Sequence, residues 1–339
     1  MNRRLLDVLT GEEPDATPVW LMRQAGRYLP GYRTLRESHS ILELAKDPAL
    51  AAQVAEEPTR RFDVDAAIVF ADIIHPLEGL GLEVRLDPGQ GPVVPAPIRR
   101  VEDLRRLETP LDAEGRTGFV GATIRKLRKT VSLPIIGFSA APFTLACYAL
   151  QGSYEREFPE VRRRIASDAD FFRRFMMVLS ASVIEYLRMQ EKAGAQVIQL
   201  FDTWAGVLSE SQYSTLVAPF LAEVLTSVEV PTIYFSTSSA HLLGIQASLG
   251  ATALSVDWRM GLDEVAKIAG DSLVLQGNLD PTTLLDSRET MERAAKDVLA
   301  SVPRGTSHIF NLGHGVLPTT DPQRVKELVD LVHSETERG

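Results

Sequence analysis

Residues 18–36, PVWLMRQAGRYLPGYRTLR, concentrate side chains that could bind an anion. A short apolar run, 19–22, leads directly into Arg23 and Gln24, and Arg27 follows three residues later. Guanidinium groups are permanently charged and bind carboxylate or phosphate through paired hydrogen bonds. Such a cluster can also be the solvated start of a helix, but the interleaved Gly, Pro and Tyr residues favour a shaped loop. We therefore predict an anion-binding loop.

Polar side chains also follow the other apolar runs of the chain. In a parallel barrel these positions meet at the carboxyl ends of the strands, where active sites are built. They are occupied by Arg23, Gln24 and Arg27, then Asp72, then Ser139, Thr144 and Tyr148, then Asp202 and Thr203, then Ser236, Thr237, Ser238 and His241, then Asp257 and Trp258, then Gln276 and Asn278, and finally Asn311 and His314. Together they predict one polar site.

Several of these residues also allow a structural interpretation. Asp202 and Asp257 could equally cap helices or anchor loops, and Asp72 could cap a turn, although an acid between apolar residues needs a partner. Tyr148 lies on an apolar face and could belong to the core or to the site. His314 stands between two glycines, which favours an exposed turn over a core position.

The elements that must position this site follow one pattern. Eight apolar runs, most of them rich in β-branched residues, alternate with segments that look helical, and this alternation predicts a single (β/α)8 barrel over residues 1–339. The segment 82–97 interrupts the pattern with two extended runs around a DPGQG turn, which predicts a hairpin after the second strand. The runs are 18–21, 66–70, 134–138, 197–201, 232–235, 253–256, 273–275 and 308–312; the helical segments include 42–56, 171–192, 209–226, 263–269, 288–299 and 322–333.

Composition narrows the classes of function. The 339 residues carry 36 Lys and Arg against 45 Asp and Glu, and the formal charge of −9 argues against nucleic-acid binding and against a polybasic membrane surface. Neither a signal-peptide core nor a membrane-length apolar stretch is found, which predicts a cytoplasmic protein. Cys147, the single cysteine, is expected to be buried and inert, and no metal-ligand spacing or nucleotide-binding motif occurs. We therefore expect chemistry without metal or cofactor.

Two long segments identify a family resemblance. PVWLMRQAGRYLP and GFSAAPFTLACY resemble two signatures of the uroporphyrinogen decarboxylases, and FADII, FDTWAG, SVDW, QGNLDP and FNLGHG resemble further blocks in the same order. The resemblance implies a cytoplasmic, homodimeric barrel enzyme of heme biosynthesis that needs no cofactor. Its substrate would be uroporphyrinogen III, whose four acetate arms become methyl groups to give coproporphyrinogen III.

The resemblance also implies roles for individual residues. Asp72 would be the central carboxylate facing the pyrrole N–H groups, and Arg23 would act in binding and in acid catalysis. The remaining substrate-binding residues would be Gln24, Arg27, Tyr148, Thr203 and His314. His75 matches no family role.

Three other functions fit parts of the pattern. A corrinoid-dependent methyltransferase shares this type of barrel but needs His and Cys metal ligands, for which the chain offers one cysteine. A non-catalytic tetrapyrrole-binding protein would keep the Arg loop but would not need an acid facing the ring. A barrel isomerase for a small anion fits the fold alone, although the Arg cluster suits many carboxylates.

Overall fold

The central element of the fold is a curled sheet of seven parallel strands that lie side by side in chain order. The computed structural model describes residues 2–87, 91–107, 112–270 and 272–338. The strands are β1 (Ala67–Ile68), β2 (Arg85–Asp87), β3 (Gly91–Val93), β4 (Ile135–Ala140), β5 (Val197–Asp202), β6 (Thr232–Ser236), β7 (Ala253–Ser255), β8 (Val274–Leu279) and β9 (His308–Leu312). Seven of the eight predicted runs thus form sheet strands, and the predicted α/β fold class is confirmed.

The first predicted run, 18–21, is not a regular strand, which corrects the expectation of eight equivalent strands. Val19 forms one isolated parallel bridge with Phe310 of β9. On its other side, the Asp65 N–H donates to the Val19 carbonyl at 2.7 Å, just before β1. This segment therefore joins both edges of the sheet, and we call 18–22 the seam.

Side chains accept three of the backbone N–H groups of the seam, those of Val19, Leu21 and Met22. The Val19 N–H donates to Asp65 Oδ2 at 2.6 Å and the Met22 N–H donates to Asn311 Oδ1 at 3.0 Å. An N–H that donates to a side chain cannot also donate to a neighbouring strand, so it does not contribute to the hydrogen-bond ladder of a sheet. The apolar pattern alone could not reveal this, because it reports burial and not the partner of each N–H.

Helices connect the successive strands of the sheet and pack around it. They are α1 (Arg4–Thr10), α2 (Pro30–Arg36), α3 (Ile41–Lys46), α4 (Pro48–Arg61), α5 (His75–Gly79), α6 (Ala113–Thr130), α7 (Pro142–Gln151), α8 (Pro159–Ser167), α9 (Ala169–Ala193), α10 (Glu210–Leu216), α11 (Ala218–Leu225), α12 (Leu243–Gln246), α13 (Leu262–Ala269), α14 (Arg288–Ser301) and α15 (Pro322–Thr336). None of the described helices is long and apolar enough to cross a membrane.

Two predicted helices are each divided in two. The segment 42–56 breaks at Asp47, which ends α3 and whose side chain caps α4 by accepting the N–H groups of Ala49 and Leu50. Pro48 then occupies the first position of α4, where its missing N–H costs nothing. The segment 209–226 breaks at Val217 between α10 and α11. Helical spacing continues through both breaks, so it did not mark them.

The barrel interior is packed with side chains. Trp20 Nε1 donates to Gln276 Oε1 at 3.0 Å, and Gln276 Nε2 donates to Gln199 Oε1 at 3.0 Å and to Ser255 Oγ at 2.9 Å. All four residues are buried. This buried network links the seam to β5, β7 and β8 and fills the interior of the barrel. The polar site must therefore lie between this network and the carboxyl ends of the strands.

The hairpin excursion is confirmed. β2 and β3 pair in antiparallel register, with Arg85 opposite Val93 and Asp87 opposite Gly91. Residues 88–90 of the predicted DPGQG turn lie outside the described residues.

Candidate active site

Arg23 lies at the turn that follows the seam. The Gln24 N–H donates to the Leu21 carbonyl at 2.9 Å, and Arg23 between them takes a left-handed backbone conformation with φ of 61°. This conformation is uncommon and costly for a residue with a side chain, and it occurs most often at functional sites. The turn directs Arg23 toward the loop after β9, where its side chain lies against Gly315.

The positive charge of Arg23 interacts electrostatically with several of the other candidate residues. Its side chain is partly open to solvent, but the walls around the guanidinium remove much of its water, and this desolvation lowers its pKa. The nearby charge of Arg27 lowers it further, whereas Asp72 and Tyr148 oppose the shift. His314 also lies within reach of this charge. Arg27, Asp72, Tyr148 and His314 thus all lie within electrostatic range of Arg23.

Gln24 has a different environment from its two arginine neighbours. It is fully buried, its Oε1 accepts the Leu21 N–H at 3.0 Å, and its Nε2 donates to the Ala66 carbonyl at 2.9 Å. Both bonds are to the backbone and join the seam to the segment before β1. The contact of Gln24 with substrate stays a prediction.

Asp72 follows β1 and is oriented by its own turn. The Ile74 N–H donates to Asp72 Oδ1 at 3.2 Å, and the backbone N–H of Asp72 donates to His75 Nε2 at 3.1 Å. Burial raises the pKa of the Asp72 carboxyl, while His75, the Ile74 N–H and Arg23 oppose the increase. Within the described residues no protein group donates to Oδ2, so this oxygen is available to a ligand.

Tyr148 contributes a protonated hydroxyl. It lies on α7 with only 6% of its surface exposed, and its ring packs against Phe158 and Trp204 at centroid distances of 6.2 and 6.4 Å. Burial raises its pKa to about 12, so the hydroxyl is a hydrogen-bond donor at neutral pH. The indole N–H of Trp204 lies nearby but makes no hydrogen bond of good geometry with the described residues. Its proximity to the Tyr148 hydroxyl partly opposes the rise in the pKa of Tyr148.

His314 is a neutral donor. Its Nδ1 accepts the Gly315 N–H at 2.7 Å, which leaves the proton on Nε2. Desolvation, reinforced by Arg23 and opposed by Asp257, lowers its pKa to about 4. The imidazole is therefore uncharged at neutral pH and can donate through Nε2.

An aromatic wall faces this cluster, and the sequence analysis missed it. Phe138 and Phe201 meet edge to face at 5.6 Å, Phe201 and Phe235 at 5.8 Å, and Phe235 and His314 at 6.2 Å. Phe201 shares the interior face of β5 with Gln199, two residues earlier. The signal was present, because the runs 134–138, 197–201 and 232–235 each end in Phe. A wall of ring edges is suited to the face of a flat apolar ligand.

Asp202 and Asp257 are both occupied by hydrogen bonds from other parts of the chain: Asp202 joins β5 to α7 and β6, and Asp257 holds the loop after β6. Asp202 is buried and accepts hydrogen bonds from Thr144 and Tyr234, each at 2.9 Å. Asp257 accepts the Ser238 N–H at 2.6 Å and pairs with Arg259 at 2.6 Å. The Thr203 carbonyl accepts a hydrogen bond from the Thr237 hydroxyl. The contact of the Thr203 side chain with substrate stays a prediction.

A separate cavity of about 820 Å³ lies at the opposite end of the barrel, beside His308 at the start of β9. Two of its basic residues, Lys296 and Arg338, are paired with Glu335 and Glu13. None of the predicted site residues lines it.

Among the described residues no three His, Cys, Asp or Glu side chains are grouped as a metal ion would need.

Comparison with known proteins identifies the family of the chain. Residues 1–335 match the family described as Uroporphyrinogen decarboxylase (URO-D). The chain belongs to the uroporphyrinogen decarboxylase family. It is 42% identical to the uroporphyrinogen decarboxylase of Myxococcus xanthus, over 98% of this chain and 96% of that protein. The enzyme of that name from Trichlorobacter lovleyi is also 42% identical, over the full length of both.

Solved structures show the same fold. A methyltransferase from Methanosarcina mazei superimposes with a TM-score of 0.80 over 98% of both chains, at 21% identity. At that identity the likeness concerns the fold alone, whereas the family membership makes this chain a decarboxylase of porphyrin biosynthesis.

Proposed function

We propose that the chain removes the carboxyl groups from the four acetate arms of uroporphyrinogen III, giving coproporphyrinogen III, with Asp72 as the central catalytic group. The family membership supports the reaction. The observation that carries the assignment of the site is the convergence of Asp72, Tyr148, His314 and Arg27 on Arg23. An anionic, ring-shaped substrate needs this mixture of fixed cations, hydrogen-bond donors and an apolar wall.

The chemistry requires a sink for electrons. Protonation of a pyrrole α-carbon gives an iminium-like cation; the bond from the methylene to the carboxylate then breaks, and its electron pair neutralises the ring as CO2 leaves. The exocyclic methylene takes up a proton to become a methyl group, and the ring α-carbon releases its proton. The net change is replacement of CO2 by one proton.

Asp72 stabilises the cation. Its Oδ2 accepts hydrogen bonds from pyrrole N–H groups, and the negative charge faces the ring where positive charge develops. A carboxylate held in a partly desolvated site is worth more than the same carboxylate in water and needs no reorganisation during the reaction.

Arg23 and Arg27 hold the carboxylates. Arg23 binds the reacting or an adjacent arm, with Tyr148 and His314 donating to the same group of oxygens, while Arg27 binds a further arm at the open edge. Positioning of this kind lowers the entropic cost of reaction. An arginine rarely loses its proton, so the binding role of Arg23 is the one that its chemistry favours.

Replacement of Asp72 tests the proposal. We expect Asp72→Asn to lose at least about a hundredfold in kcat while still binding substrate, because one well-placed charged group contributes roughly that much to a transition state. The assay is anaerobic, with uroporphyrinogen III as substrate and chromatography of the oxidised products by number of carboxyl groups. Asp280→Asn, an acid after β8 whose capping bond an amide can keep, is the matched control. Full activity of Asp72→Asn would refute the assignment, and binding without carboxyl loss by the parent chain would favour a binding protein.

The proposal extends to the assembly. Residues 1–339 act as one domain in a cytoplasmic homodimer, as the family resemblance implies, and light scattering at several concentrations tests the dimer.

A further inference from the structure

We infer that His75 is a positioning residue that fixes Asp72 through the backbone, with Glu78 and Lys46 holding the His75 ring in turn. The inference rests on the proposed role of Asp72. His75 begins α5, three residues after Asp72, and was given no role by the sequence analysis.

His75 is committed to one tautomer. Its Nε2 accepts the Asp72 N–H at 3.1 Å, so that nitrogen carries no proton. Its Nδ1 lies 2.7 Å from Glu78 Oε2 and therefore donates to that carboxylate. The order of the bonds is thus Asp72 N–H to His75 to Glu78.

The outer end of this chain is charged and reaches solvent. Lys46 Nζ on α3 donates to Glu78 Oε1 at 2.5 Å, and its side chain is 42% exposed. Burial alone would raise the pKa of Glu78, but the bonds from His75 and Lys46 outweigh burial and lower it. Glu78 is therefore a carboxylate, which is the form that holds the Nδ1 proton of His75.

Packing leaves the His75 ring little freedom to turn. The side chain is fully buried, and Phe119 of α6 contacts it edge to face at 5.0 Å. A rigid ring gives the Asp72 N–H a fixed acceptor, and the Ile74 N–H fixes Oδ1 of the same residue. Two bonds thus determine where Oδ2 lies, and supporting shells of this kind hold a catalytic group within about 0.5 Å of its working position.

Three substitutions separate the acceptor from the rest of the side chain. His75→Gln can keep an acceptor at the Nε2 position, His75→Asn can keep a donor at the Nδ1 position only, and His75→Phe fills the space with neither. We expect kcat to fall about tenfold or more in His75→Asn and His75→Phe, because small displacements of a catalytic group cost this much. We expect His75→Gln to recover to within about threefold of the parent, with KM little changed in all three.

A measurement without turnover keeps the test independent of the role of Asp72. Hydrogen exchange of the Asp72 amide, followed by NMR on protein labelled with 15N-aspartate, should be slow in the parent and in His75→Gln and faster in His75→Asn. The control is His308→Gln, which makes the same substitution at a buried histidine beside the cavity at the opposite end of the barrel. Equal exchange and equal kcat in the Gln and Asn variants would overturn the inference. If exchange follows the expected order but kcat does not, the bond anchors the loop without positioning the catalytic group, which overturns the inference and leaves the role of Asp72 to be decided by Asp72→Asn.

Discussion

Tyr148 and Tyr154 belong to one cluster of aromatic rings but differ in what surrounds their hydroxyl groups. Tyr154 is 52% exposed and packs against Trp204 at 5.4 Å and Phe158 at 6.0 Å. Tyr148 is buried beside Asp72 and Arg23, which influence its pKa. The pair therefore separates the contribution of a hydroxyl inside the site from that of a ring in its rim.

We expect Tyr148→Phe to lower kcat/KM about tenfold to a hundredfold, the value of a hydrogen bond to a charged group of the substrate. Tyr154→Phe removes a hydroxyl from the same aromatic cluster and should change kcat/KM less than about twofold. Steady-state rates for both variants, with far-UV circular dichroism to verify folding, provide the measurement. Similar losses in the two variants would mean that the cluster acts only as a packing unit.

At the scale of elements, the turn after the seam packs closely against the loop after β9. The Val316 N–H donates to the Met22 carbonyl at 2.8 Å, which holds the two loops together. A Cβ at Gly315 would lie 2.3 Å from Arg23 Cδ and 2.6 Å from Arg23 Cγ. The glycine leaves the room that the arginine stem occupies.

We therefore expect Gly315→Ala to move Arg23 and to raise KM by about tenfold or more, since charged hydrogen bonds to substrate carboxylates are lost. Global stability should change by less than about 1 kcal/mol, because the moved side chain is partly open to solvent. Gly118→Ala on α6 is the control, since its Cβ would meet Glu114 only at an ordinary 3.7 Å. Unchanged kinetics in Gly315→Ala would show that Arg23 tolerates the displacement.

Most elements could be predicted from the sequence because burial leaves a clear pattern. Runs such as 197–201 are apolar apart from Gln199, as expected of strands covered on both faces, and they lie where the structure has strands. The seam was predicted as a strand because it is apolar, but the N–H groups of Val19 and Met22 donate to the side chains of Asp65 and Asn311, which are distant in sequence. Spacing along the chain contains no information about such partners.

The same limit applies to the candidate site. Arg23 and Asp72 could be selected because polar residues after apolar runs converge in a barrel. Gln24 adjoins Arg23 in sequence, yet its amide is used inside the seam, and only the three-dimensional contacts distinguish the two. His75 and Glu78 are three residues apart, a helical spacing that could have suggested their pairing, but its purpose depends on the Asp72 N–H.

For the whole molecule, Asp65 connects regions from both ends of the chain. This fully buried carboxylate accepts the Val19 N–H and pairs with Arg4 of α1 at 3.2 Å and with His333 of α15 at 2.7 Å. Asn2 also donates to it, at 2.6 Å. Buried charges of this kind are tolerated because every partner is present.

Removal of the Asp65 carboxylate should therefore destabilise the fold. We expect Asp65→Ala to lose about 3 kcal/mol or more, because it removes the acceptor of the buried Val19 N–H and of the partly buried Arg4 and His333 side chains, and so opens the seam. Asp63→Ala, whose carboxylate is 76% exposed and lies 3.7 Å from the same histidine, should lose less than about 1 kcal/mol. Thermal unfolding of the two variants gives the comparison, and equal melting temperatures would show that the seam is held by the hydrophobic core alone.

The seam also sets the order of events while the chain is being synthesised. Residues 18–22 leave the ribosome early, but Phe310 and Asn311, which bind them, are made almost three hundred residues later. Arg23 adjoins this segment, so its final position depends on partners that do not yet exist in a nascent chain. A truncated product that ends before β9 would carry Asp72 and Tyr148 without a positioned Arg23, and the site is completed only after β9 has been made.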